Sequence, residues 1–139
     1  MMAAMMDSNL KQVKIVWLAL FVAGIAYVAL PEFIAVQSRE LNPVIFPVLV
    51  AQGLVILTVV VFLRKLLIGR AVEALLTNAE DRTAILKWRS GQIATAALCE
   101  SIVLLGLVAR FIGGTRPQSA TLYVLGLGAM IVFWPKAPE

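Results

Sequence analysis

Residues 91–112 read GQIATAALCESIVLLGLVARFI, a run whose only charges are Glu100 near its middle and Arg110 near its end. At 1.5 Å per residue such a run is about 33 Å long, enough for the ~30 Å hydrocarbon core of a bilayer. Its apolar residues are continuous rather than alternating, which points to a helix and not to the ~10-residue strands of a membrane barrel.

Comparable runs lie on either side. Residues 44–63, VIFPVLVAQGLVILTVVVFL, are apolar apart from Pro47, Gln52, Gly53 and Thr58, with Asn42 and Pro43 placed as an N-cap and a first-turn proline. Residues 15–30 carry no charge, and the apolar pattern resumes after Pro31 and Glu32 as far as position 36. Residues 120–134 form a shorter run stopped by Pro135; at about 22 Å they need Gln118 and Ser119, a thinner bilayer or protein neighbours to span. The expectation is an all-α, integral membrane four-helix bundle in a single domain, 1–139, with helices at about 13–36, 43–68, 80–112 and 118–134.

Composition agrees. Of 139 residues 61% are hydrophobic and 14% charged, with a mean hydropathy of +0.94. A soluble domain carries nearer 25% charge, so there is too little polar surface here for a water-soluble globule. Histidine is absent and Cys99 is the single cysteine, which excludes an internal disulfide, a thiolate cluster and the commonest haem and zinc ligands. No metal or cofactor is expected. The net charge of +4 is read as a topology signal and an affinity for anionic lipid, not as a nucleic-acid footprint.

Lys11 and Lys14 precede the first helix, Arg64, Lys65, Arg70, Arg82, Lys87 and Arg89 separate the second from the third, and Lys136 follows the fourth. The other connections hold Arg39, Arg116 and the helix-end Arg110. By the positive-inside rule both termini and the middle loop are cytoplasmic and the protein belongs to the cell (inner) membrane. Trp17, Trp88 and Trp134, with Lys87 and Arg89, then fall at cytoplasmic helix ends as interface anchors. Arg110 is expected to snorkel outward, and Glu32 and Arg39 to pair at the outer interface or to be solvated separately. The opening MMAAMM reads as a disordered start. Gly24 and Ala26 are spaced like a signal-peptidase site, but the apolar run continues past them, so the helix is expected to be retained.

The segment 64–90 is more than a linker. Leu66, Leu67, Ala71 and Leu75, and likewise Ile68, Val72 and Leu76, recur at helical spacing, so the second helix continues beyond its membrane run. Thr77 with Glu80 resembles a capping box, and the pattern then runs into Gly91 without another breaker. A cytoplasmic helical hairpin is expected.

Glu100 raises the chemical question. An ionised carboxylate at mid-membrane costs about 2.5–3.5 kcal/mol, so it is expected to be protonated, bound to a cation or tied to a polar partner. Gln52 lies at a similar depth on the antiparallel second helix, and Ser101, Thr95 and Cys99 lie close by on the third. Ala96 and Ala97, and Gly126 and Gly128 on the fourth helix, are small residues suited to close helix packing. Two readings follow: Glu100, Gln52 and Ser101 hold an ion, or Glu100 and Gln52 form a hydrogen bond that sets register.

The stretch GRAVEALL at 69–76, Glu80, GQIATAALCES at 91–101 and GLV at 106–108 resemble the c subunits of rotary ATP synthases, helical hairpins with a cytoplasmic loop. The resemblance covers 69–108. It implies that Glu100 matches the ion-carrying glutamate, that Gln52 loosely matches a coordinating glutamine, and that Ser101 matches the serine of Na⁺-binding forms. The helix at 44–63 holds one glycine in place of the repeated Gly-x-Gly of those proteins, and TNAED replaces their Arg-Gln-Pro turn. The overall layout is similar to that of small four-helix bacterial membrane proteins.

The expected function is therefore a small, oligomeric H⁺- or Na⁺-binding or -conducting subunit using Glu100. The alternative is a non-catalytic accessory or scaffold subunit of a larger membrane complex. An enzyme is not expected, because no nucleophile–base pair or phosphate-binding glycine loop is present.

Overall fold

The computed structural model describes residues 2–34, 40 and 42–138, and all regular structure among them is helical. Helix α1 is Met2–Phe33 and α2 is Ile45–Leu63; α2 passes through a π-helical segment, Arg64–Gly69, into α3, Arg70–Thr77. After a turn, α4 is Arg82–Phe111 and α5 is Arg116–Val132. Three helical stretches, Ala4–Phe33, Ile45–Thr77 and Arg82–Phe111, are long and apolar enough to cross a membrane. α5 has 17 residues, about 25 Å.

Helix α4 is the centre of the molecule. It packs against α1, α2, α3 and α5, and α5 also touches α1 and α2, whereas α1 and α2 do not meet among the described residues. Half of the apolar window of α4 is buried inside the fold, against 17% for those of α1 and of Ile45–Thr77. The outer two helices therefore present most of their side chains to the surroundings, including Ile15, Leu18, Val22, Val55 and Phe62. So much apolar surface is stable only in lipid. The molecule is an α-helical membrane protein.

The close approach of α4 and α5 rests on two glycines. A Cβ on Gly106 would lie 2.7 Å from the Tyr123 ring, and one on Gly126 would lie 2.9 Å from the Cys99 carbonyl oxygen. Gly113, with φ 106°, ends α4 in the left-handed region that favours glycine, and the Gly114 amide returns to the Ala109 carbonyl at 2.7 Å. A capping box between Thr115 and Gln118 then starts α5, with Pro117 in its first turn.

The two sides of the turn pack together, Ala71 and Leu75 burying against Ala84, Ile85 and Trp88. Its cap is different. The Asp81 side chain accepts from the Thr83 and Ala84 amides at 2.9 and 3.2 Å, while the Thr77 hydroxyl donates to its own helix at Glu73. An aspartate in extended conformation at the helix start takes the two orphan donors that Thr77, still helical, does not reach, so α4 begins at Arg82 and not at 80. At the N-terminus α1 is helical from Met2, where a disordered start was expected; the Asp7–Lys11 ion pair at 3.0 Å lies along this first part. The end of the first helix expected at position 36, and Arg39, lie outside the described residues.

Candidate functional site

Glu100 lies two-thirds of the way along α4 and is 9% exposed. Tyr27 of α1 brings its phenolic hydroxyl near the Glu100 carboxyl. The three residues expected to share an ion do not come together. Gln52 is exposed on α2, because the face that α2 turns inward is that of Leu49, Gly53 and Val60, and Gly53 faces Leu122 and Ile102. Ser101 donates to the Ala97 carbonyl of its own helix at 3.0 Å. Thr95 likewise returns to Gly91 at 2.8 Å, and Cys99 is fully buried as a small apolar residue. Among the described residues no group of three acidic, cysteine or histidine side chains could hold a metal.

The small residues divide in the same way. Ala96 is fully buried and Gly126 sits against α4, but Ala97 is exposed and nothing lies within 4 Å of a Cβ on Gly128. Successive or alternate helix positions face different directions, so only one of each pair reaches the interface.

A second polar cluster lies where α2 and α5 end, beside the middle of α1 and the first third of α4. The Trp17 indole donates to the Gln92 carbonyl at 3.1 Å and meets Trp134 edge-on at 6.1 Å. Arg64, at the start of the π-helical segment, donates to the Gln92 side-chain oxygen at 3.3 Å and lies 4.8 Å over the Phe133 ring. Trp17 and Trp88 are 0% and 1% exposed, so these two pack inside the bundle and are not interface anchors; Trp134, Lys87 and the half-buried Arg89 remain at the surface. The membrane-end position of the tryptophans was readable, but their inward direction depends on which helices adjoin them.

At the opposite end Arg116 pairs with Glu32 at 2.6 Å. Arg110, expected to snorkel, instead turns back to donate to the Gly114 carbonyl at 3.0 Å, since the glycine turn brings that acceptor within reach. Tyr27, Gln92 and Arg116 are the polar partners that sequence reading missed. Each acts between helices distant in sequence, although Gln92 falls on the helical spacing of Trp88, Thr95 and Cys99 that α4 buries.

The fold defines an α-helical membrane protein with three helices long and apolar enough to cross a bilayer. No family model matches the chain, and no match was found among curated proteins or solved structures.

Proposed function

We propose that this chain is a non-catalytic accessory or scaffold subunit of a cell-membrane assembly, with four crossings and both termini in the cytoplasm, in which Glu100 joins α4 to α1 through Tyr27. The observation that supports this reading is the setting of Glu100: one phenol beside it, with Gln52 facing away and Ser101 occupied on its own helix. A hydrogen bond between membrane helices returns about 0.6 kcal/mol and at most about 1.7 kcal/mol, less than the ~2.5–3.5 kcal/mol cost of an ionised carboxylate at that depth. A neutral acid paired with Tyr27 satisfies both numbers.

The test is Glu100→Gln, which keeps the shape and a hydrogen-bonding oxygen. The expected result is a melting temperature in detergent within a few degrees of the parent, the same co-purifying partners, and unchanged H⁺ and Na⁺ flux in liposomes. Loss of flux with assembly intact overturns the reading.

One observation favours the ion-binding alternative. Ala97 and Leu104, about one turn before and after Glu100, are exposed, so a neighbouring helix could pack on that face of α4 beside the glutamate and complete an H⁺ or Na⁺ site in an oligomer. The resemblance to rotary c subunits supports the same reading. Carbodiimide labelling of Glu100 that Na⁺ blocks is its expected signature, and labelling indifferent to Na⁺ and pH counts against it.

A further inference from the structure

Where α2 passes into the π-helical segment and the chain leaves α5, a cavity of about 280 Å³ opens beside α4, several times the ~30 Å³ share of a water molecule. Arg64, Trp88, Gln92, Trp134 and Lys136 stand in its wall, which is largely polar. Among the described residues no acidic side chain lines it, and neither Arg64 nor Lys136 has a carboxylate partner; the ion pairs are Asp7–Lys11 and Glu32–Arg116. Arg64 is half-buried and held in place. Its Nη1 donates to Gln92 Oε1 at 3.3 Å and to the Phe133 carbonyl at 3.5 Å, and the guanidinium carbon lies 4.8 Å over the Phe133 ring. Nε and Nη2 have no acceptor among the described residues, and in contrast to Arg110 Nε neither is sealed off. Lys136 is exposed.

A guanidinium drawn partly out of water with only neutral acceptors is left uncompensated, and an anion beside it offsets that cost. With Lys136 the wall carries two positive charges against none of the opposite sign. The open edge of an arginine fork matches two oxygens of one phosphate, and a lysine adds a compact point charge. Depth selects the source of the anion. The apolar runs 44–63 and 120–134 both stop here, at Arg64 and Pro135, and Lys87 and Arg89 stand just ahead of the run that begins at Gly91. The cavity therefore lies at the level of the headgroups, where basic pockets between membrane helices take anionic lipid. Trp134, 37% exposed at the same level, is a residue type suited to that boundary.

We propose that this cavity holds the phosphate of a net-anionic phospholipid, its oxygens accepting from Arg64 Nε–H and Nη2–H and from the Lys136 ammonium. A free phosphate shares that chemistry. The experiment uses the delipidated full chain in detergent, with two probes: phosphatidylglycerol in mixed micelles against phosphatidylcholine with the same tails, and inorganic phosphate against chloride at equal ionic strength. Phosphatidylglycerol is expected to raise the melting temperature by about 5 °C over its control. A rise with inorganic phosphate and none with phosphatidylglycerol overturns the assignment to lipid, and no rise with either overturns the site.

Variants separate this cavity from a diffuse attraction of the basic end for anionic lipid. Lys136→Gln is expected to raise the half-saturating phosphatidylglycerol concentration about fivefold and Arg64→Gln about tenfold. Arg70→Gln removes a charge that is exposed nearby but outside the cavity wall, and is expected to change that concentration by less than about twofold. Equal losses in Lys136→Gln and Arg70→Gln overturn the proposal, as does a response that survives unchanged when Arg64 and Lys136 are both replaced. Lys136 is exposed and lies beyond α5, so Lys136→Gln carries the test by itself if Arg64→Gln does not fold.

Discussion

Gly126 and Gly128 stand two positions apart on α5 and meet opposite surroundings. A Cβ on Gly126 would lie 2.6 Å from a Val103 methyl and 2.9 Å from both the Val103 amide nitrogen and the Cys99 carbonyl oxygen; two of these neighbours are backbone and cannot swing aside. Gly126→Ala is expected to separate α4 from α5 and lower stability by about 1–3 kcal/mol. Gly128 faces open space, so Gly128→Ala is expected to be neutral or to add up to about 1 kcal/mol from helix propensity. Thermal melts of both variants in one detergent decide the matter, and equal effects would contradict the packing described. In the sequence the two glycines are interchangeable, because direction around α5 is set by the position of α4. Glu100 is the converse case. Its oddity was legible from one residue, but Tyr27 was not, since nothing in α1 marks which of its polar atoms faces α4.

Helix α4 shows what an element owes to its own sequence and what it owes to contact. Its existence followed from a long apolar run interrupted by Glu100, but its start is set by Asp81 where the sequence reading took Thr77 and Glu80 as the cap; its buried stripe of Trp88, Gln92, Thr95, Cys99, Ile102, Gly106 and Ala109 required knowing that neighbours surround it. The stretch from Ile45 to Thr77 makes the point through its π-helical segment. α2 buries Leu49, Gly53 and Val60, and the next buried position is Ile68, one residue later than a heptad step, before Ala71 and Leu75 continue. The widened turn absorbs that extra residue and keeps one face on α4, a register shift that apolar periodicity alone did not reveal. The hairpin's energetics are testable at its cap. Asp81→Ala removes the acceptor for two amides and is expected to cost about 1 kcal/mol, whereas Thr77→Ala, which removes only a bond to its own helix, should cost less than about 0.5 kcal/mol. If the two losses are reversed, the capping box at Thr77 was the correct assignment after all.

Across the whole molecule, packing brings both chain ends and the hairpin to one end of the bundle: Trp17 of α1 meets Gln92 of α4 and Trp134 beyond α5, and Arg64 meets the Phe133 carbonyl at 3.5 Å. The other end gathers Glu32, Arg110 and Arg116. Among the described residues nine of the eleven lysines and arginines belong to the first end, Lys11, Lys14, Arg64, Lys65, Arg70, Arg82, Lys87, Arg89 and Lys136, and two, Arg110 and Arg116, to the other. That asymmetry is large enough for the positive-inside rule to predict a cytoplasmic location for the first end. Cysteine labelling tests it in a Cys99→Ala background, where the buried native thiol no longer contributes. Single cysteines replace the exposed Ser8, Asn78, Ala137 and Thr115. In intact cells a membrane-impermeant maleimide is expected to label Thr115→Cys alone, and the other three only after the membrane is opened. Labelling of Ser8→Cys, Asn78→Cys and Ala137→Cys together in intact cells would invert the orientation while leaving the fold intact. Labelling that divides those three positions between the two sides would contradict the packing of α1, α4 and α5 itself, because the Trp17, Gln92 and Trp134 contacts require their ends to share one side.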